Sequence, residues 1–125
     1  MNRYFFILVV SYILSLSAVS AQDQAKLDSI QNLLQSANQE DSIDYLLHIG
    51  VEYFDHEKYA ESLDYFFICL RLAERISHET GSADAENSIG RVYYNMDNFK
   101  MALEYYNRAL VSYQKVDKKC DDKQD

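Results

Sequence analysis

The sequence predicts an all-α protein, a short solenoid of repeated helical hairpins, and three observations lead there. Pro is absent and Gly occurs only 3 times in 125 residues, which suits unbroken helices and disfavours a turn-dense β-sandwich. Apolar residues recur at helical spacing from Leu27 onward. The chain also repeats itself: Ile49, Gly50, Tyr53, Leu63, Tyr65 and Leu70 return 40 residues later as Ile89, Gly90, Tyr93, Leu103, Tyr105 and Leu110. The matches fall on residues that would pack, not on the charges between them. A fixed internal period decides the architecture.

The first segment reads as an address. Met1-Asn2-Arg3 carries one positive charge, residues 4–16 are almost wholly apolar, and Ser17-Ala18-Val19-Ser20-Ala21 are mostly small. That is the layout of a secretory signal peptide over residues 1–21, with a cut before Gln22. The apolar run falls short of the roughly 20 residues that span a bilayer, which favours a cleaved leader over a retained anchor. The mature chain then has no membrane span and works outside the cytoplasm.

A leader helix follows over 22–40, with Leu27, Ile30, Leu33, Leu34 and Ala37 on one stripe. Shifted by 40 it overlays the second helix of a repeat, so it reads as a half-repeat covering the N-terminal end of the stack. The first repeat takes 41–81. Its first helix, 42–54, aligns Leu46, Leu47, Ile49, Gly50, Tyr53 and Phe54, and Asp55-His56-Glu57 breaks it. Its second helix, 58–77, carries Tyr59, Ser62, Leu63, Phe66, Cys69, Leu70 and Ala73; the centre is apolar on every side, so it lies between neighbours. Gly81 punctuates, and the second repeat takes 82–117. It has a helix to about Met96, a turn at Asp97-Asn98 and a last helix over 99–116. Residues 118–125 form a charged tail. Gly50 and Gly90 fall inside helices, where Gly is about 1 kcal/mol worse than Ala, so each predicts close approach of a neighbouring helix.

These residues resemble the tetratricopeptide repeat (TPR) family. The second copy follows its pattern at Ile89-Gly90, Tyr93, Phe99, Ala102, Tyr106 and Ala109-Leu110. The first departs with Ser62 and Cys69 at the Ala positions, both still small. Leu46 and Glu86 stand where the family has Trp, and Glu74 and Gln114 where it has a late Pro. The resemblance covers roughly 42–117 and implies a right-handed TPR-type solenoid of about five helices in the mature chain. The leader and the 40-residue period are also similar to the extracytoplasmic input region of Gram-negative sensor kinases. That implies a periplasmic or secreted protein, and a stand-alone or truncated sensory input domain as the alternative to an independent binding module.

The net charge of −8 and a pI near 4.7 exclude a nucleic-acid backbone as the natural partner, which needs a basic face. His48, His56 and His78 are scattered, with no spacing that converges the four ligands zinc takes; no metal and no cofactor is expected. Asp55-His56-Glu57 sits in a turn where consecutive side chains diverge, so no catalytic set is visible and the protein is not expected to be an enzyme. Cys69 takes a small-residue packing slot. Cys120 falls in the tail, where an inter-chain disulfide is an alternative to a free thiol.

By the family pattern, the first helices of successive hairpins line a groove that takes a peptide or a partner protein. The implied groove residues are Asp44, Leu47, Val51 and Phe54 in the first copy, and Asp84, Asn87, Arg91 and Tyr94 in the second. Asn87 and Arg91, four apart, share a helix face. Beyond the last helix no further repeat begins, so Leu103, Tyr106, Leu110 and Tyr113 are expected to be partly uncovered. A homodimer through that face is one way to cover it.

Overall fold

A computed structural model describes residues 38–121 continuously, together with Ala25, Asp28, Ser29, Asn32 and Gln35. Residues 1–21, read as a signal peptide, the apolar stripe of the leader helix, and 122–125 lie outside the described residues. The chain divides into two units, Met1–Ser36 and Ala37–Asp125. In the first, the five described positions are helical and exposed, and the Ser29 hydroxyl donates to the Ala25 carbonyl at 2.9 Å.

The described residues of the second unit form four helices and no strand: α1 (Gln39–Asp55), α2 (Tyr59–Arg75), α3 (Glu79–Asn95) and α4 (Phe99–Asp121). The fold is all-α and repeat-like. Each of α1, α2 and α3 has 17 residues, and α3 and α4 begin 40 residues after α1 and α2. Each of α2, α3 and α4 packs on the one before it, and α1 also touches α3. Among the described residues no helix is long and apolar enough to cross a membrane.

The same turn joins each pair of helices. Glu57, Ser77 and Asp97 take the left-handed conformation, with φ of 58°, 57° and 57°. The next residue's N–H then reaches back across the last turn of the helix. Lys58 donates to Tyr53, His78 to Ala73 and Asn98 to Tyr93, at 2.9, 2.8 and 2.9 Å. This closure satisfies carbonyls that a helix end leaves orphaned. The 40-residue repeat is therefore two 20-residue backbone steps, a helix and a turn each.

Three boundaries differ from the sequence reading. The first helix of repeat one begins at Gln39, taking residues assigned to the leader, with Glu40 and Asp41 in the first turn where the helix dipole favours acids. Gly81 is not a punctuation point but lies inside α3, buried; Ser77 makes the turn instead. A Cβ on Gly81 would lie 2.8 Å from Ile43 Cγ2, so the residue is small for packing. Its N–H donates to His78 Nδ1 at 2.9 Å, which makes His78 the N-cap of α3. Finally, α4 runs past 116 to Asp121, so Lys118 to Asp121 are helical and the charged tail is not separate there. Lys118 and Lys119 in the last turn suit its dipole.

Ile43 and Leu46 of α1, Phe66, Cys69 and Leu72 of α2, and Ile89 and Val92 of α3 form the core. The two in-helix glycines do what their positions predict. A Cβ on Gly50 would overlap the Phe66 ring, and one on Gly90 would lie 2.8 Å from Tyr106 Cδ1. The two contacts are one contact, repeated.

Candidate functional site

The contact between α1 and α3 makes the face on which eight residues were expected to gather. At its centre the Arg91 guanidinium lies over the Phe54 ring, 4.9 Å from its centroid, a cation–π contact that joins the two helices. Phe54 also meets Tyr59 at 5.8 Å, and the exposed Tyr94 meets Phe99 edge-on at 5.5 Å. Leu47, Val51 and Asn87 are half-buried and Asp44 is exposed. Arg91 thus pairs with an aromatic ring across helices, while its own carbonyl accepts from Asn95 Nδ2 at 2.8 Å.

Asp84 is committed elsewhere. Its Oδ1 accepts from the Tyr113 hydroxyl of α4 at 2.6 Å. Burial pushes the Tyr113 phenol up to about 12, and its hydrogen bond to Asp84 and the Asp84 charge push the same way. On the face of α4 expected to be partly uncovered, Tyr113 and Tyr106 are half-buried, Tyr106 against Gly90. Leu103 and Leu110 carry the face, at 62% and 56% exposure, and Val111 at 51% joins them. Val111 was missed in the sequence because its repeat equivalent, Arg71, gives no apolar signal.

The structure adds a cleft of about 740 Å³, bordered by Glu74, Ser82, Glu86, Arg108, Ser112 and Lys115 among others. Glu86 is a buried carboxylate at its wall. It accepts from Arg108 Nε at 3.0 Å and from the Ser112 hydroxyl at 2.7 Å, so both oxygens are satisfied from α4. Arg108 also lies 3.7 Å from Glu74 and over the Tyr105 ring at 5.1 Å. This cluster links α2, α3 and α4. The only sequence signal for it was a Glu at a position where Leu46 and Phe66, at 20-residue steps, are apolar.

His56 and Cys69 hold structural posts elsewhere in the unit. His56 Nδ1–H donates to the Glu52 carbonyl at 2.8 Å. Burial pushes the Cys69 thiol up to about 12, and the charges of Asp84 and Asp44 add to it, so the sulfur stays a protonated thiol beside the Ile43 carbonyl, 3.7 Å away. Cys120 is an exposed free thiol on the last turn of α4. Among the described residues no three His, Cys, Asp or Glu side chains converge to hold a metal ion.

Compared with known proteins, the chain matches no protein-family model, and no curated sequence or solved structure is significantly similar to it.

Proposed function

We propose that the chain is a TPR-type protein-binding module, exported and without a catalytic role, whose α1–α3 face takes an extended peptide segment of a partner protein. The observation that carries this reading is Arg91 lying over Phe54 with Tyr94 exposed close by in sequence on α3. Aromatic rings and a held guanidinium on one face are the groups that dominate protein interfaces. The 40-residue step and its repeated turns support a solenoid, in which such a face is the natural peptide seat. The apolar leader of residues 4–16 supports export.

The test is selection of short peptides from a random library on the wild-type chain, followed by titration of the winners. Arg91→Ala and Tyr94→Ala should each weaken the selected peptides by about tenfold. Peptides that bind both variants as well as wild type would place the site elsewhere and sink this reading. A second reading has its own observation. The exposed Leu103, Leu110 and Val111 give α4 a seat for a partner subunit, separate from the peptide face.

A further inference from the structure

The two ends of this unit are halves of an interface that it already contains. In repeat position, α4 is α2 and α1 is α3, each displaced by 40 residues. Inside the chain α3 packs on α2. Leu70 on α2 is consequently 5% exposed, whereas Leu110, its equivalent on α4, is 56% exposed. The other half shows the same contrast: Ala85 on α3 is 0% exposed, and Tyr45, its equivalent on α1, is 53% exposed. Among the described residues, one chain thus carries an uncovered α2-like seat and an uncovered α3-like face.

We propose that α1 of a second copy of this chain docks on α4, head to tail, as α3 docks on α2. This deepens the reading of α4 as a partner's seat, on which it rests, by naming the partner. Charge supports the choice. The first turns of α1 hold Glu40, Asp41 and Asp44, and the whole helix has no Lys or Arg. The end of α4 holds Lys115, Lys118 and Lys119 against Asp117 and Asp121, a net positive stretch. Lys119 already reaches Glu79 of α3 at 3.9 Å, leaving Lys118 as the lysine nearest the seat. In the α2–α3 contact, Gly81 near the start of α3 faces Ala73 near the end of α2, since a Cβ on Gly81 would lie 3.4 Å from Ala73 Cβ. The same register brings Asp41 to Tyr113, so the acidic start of α1 meets the lysine-bearing end of α4. Asp41 and Tyr113 are larger than the pair they replace, and the junction opens there by a side chain. Leu110 and Tyr45 then bury each other's neighbourhood nearer the middle of the helices.

Such an interface is heterologous: the patch offered differs from the patch accepted, so each added copy leaves one free end of each kind. The assembly grows by addition instead of stopping at two.

Sedimentation velocity on the full chain, as its host processes it, tests this over a range of concentrations. The expected result is a mass that climbs past two chains as concentration rises. Leu110→Asp and Tyr45→Asp should each sediment as single chains. Mixed in equal amounts they should form a two-chain complex that grows no further, because one retains the α1 face and the other the α4 seat. Both residues are more than half exposed, and circular dichroism checks that each variant keeps its helices; Leu110→Ser and Tyr45→Ser replace any that does not. A wild-type chain that stays single at every concentration overturns the proposal. So does a Tyr45→Asp variant that assembles as well as wild type, which would mean that α4 pairs with α4. Peptide titration on the Leu110→Asp chain separates the two readings: intact peptide binding beside failed assembly leaves the α1–α3 face standing.

Discussion

The Tyr113 hydroxyl donates to Asp84 Oδ1 at 2.6 Å and ties the far part of α4 to the early turns of α3. Two residues expected on different binding faces are therefore partners in one hydrogen bond. The bond also gives stability a pH dependence. An acid whose folded pKa is raised is protonated in the fold where the unfolded chain has already released its proton. Its contribution is complete below the unfolded value and fades as pH rises through the folded one. For Tyr113 that window runs from 10.0 to about 12. For Cys69, raised from 9.0 to about 12 chiefly by burial, it opens earlier. Tyr65 and Tyr105 are raised too, in both cases mainly by burial, and act in the same direction.

Urea midpoints should accordingly hold level up to about pH 9 and fall beyond it. Cys69→Ala puts at this site the residue that its repeat equivalent Ala109 already has. That variant should lose about 1 kcal/mol at pH 7 through the missing sulfur's packing, and its decline should begin closer to pH 10. An unchanged onset would show that Cys69 does not govern the first part of the alkaline loss.

Much of the packing could be read from the sequence because the repeat compares the chain with itself. Gly50 and Gly90 announced close helix approach by recurring at a place where Gly is otherwise unfavourable, and Phe66 and Tyr106 are the rings that approach. Gly81 misled for the opposite reason. A lone Gly between helical patterns reads as a turn, yet Ser77 takes the left-handed φ and Gly81 packs under Ile43. The Glu86 cluster was out of reach. Arg108 and Ser112 are 22 and 26 residues away, and only the register of α3 on α4 brings them to the carboxylate. Asp84 failed similarly: its place in a repeat pattern says which face it begins on, not which hydroxyl it finds.

Glu86 tests what a buried charge contributes. Glu86→Ala leaves Arg108 without its nearer carboxylate and opens space beside Ser112. Breaking a fully buried pair costs about 3–5 kcal/mol, but the Arg108 side chain is 42% exposed and can turn to water. A loss of about 2 kcal/mol in urea unfolding is expected. The double variant Glu86→Leu with Arg108→Met, which restores an apolar residue at the Leu46 and Phe66 position, should fall within about 1 kcal/mol of wild type. A double variant as unstable as Glu86→Ala would show that the ion pair contributes more than its apolar replacement.

The three turns provide a graded test of backbone strain. Glu57, Ser77 and Asp97 all hold φ near 57–58°, which glycine adopts without a Cβ penalty. Glu57→Gly should raise stability by about 0.5–1 kcal/mol, less the entropy that glycine adds to the unfolded chain. Asp97→Gly should gain least, because Asp tolerates the left-handed region better than most residues. Thermal midpoints of the three single variants give the order directly, and a larger gain at Asp97 than at Glu57 would contradict it.

The paired glycines give the sharpest contrast. Gly→Ala within a helix normally gains about 1 kcal/mol from propensity. At Gly50 the new methyl would overlap the Phe66 ring, which is buried and has nowhere to move. Overpacking of that kind costs about 1–3 kcal/mol, so Gly50→Ala should be destabilised on balance. At Gly90 the obstructing ring belongs to Tyr106, which is only half-buried on the uncovered side of α4 and can swing outward. The Ala102 carbonyl, 3.3 Å from the new methyl, requires a shift of only a few tenths of an ångström. Gly90→Ala should therefore lie within about 1 kcal/mol of wild type, although the two sites are equivalent in the repeat. Parallel urea titrations decide between packing and propensity: equal losses at both would mean that Tyr106 is held as tightly as Phe66, and that the outer side of α4 is already covered in solution.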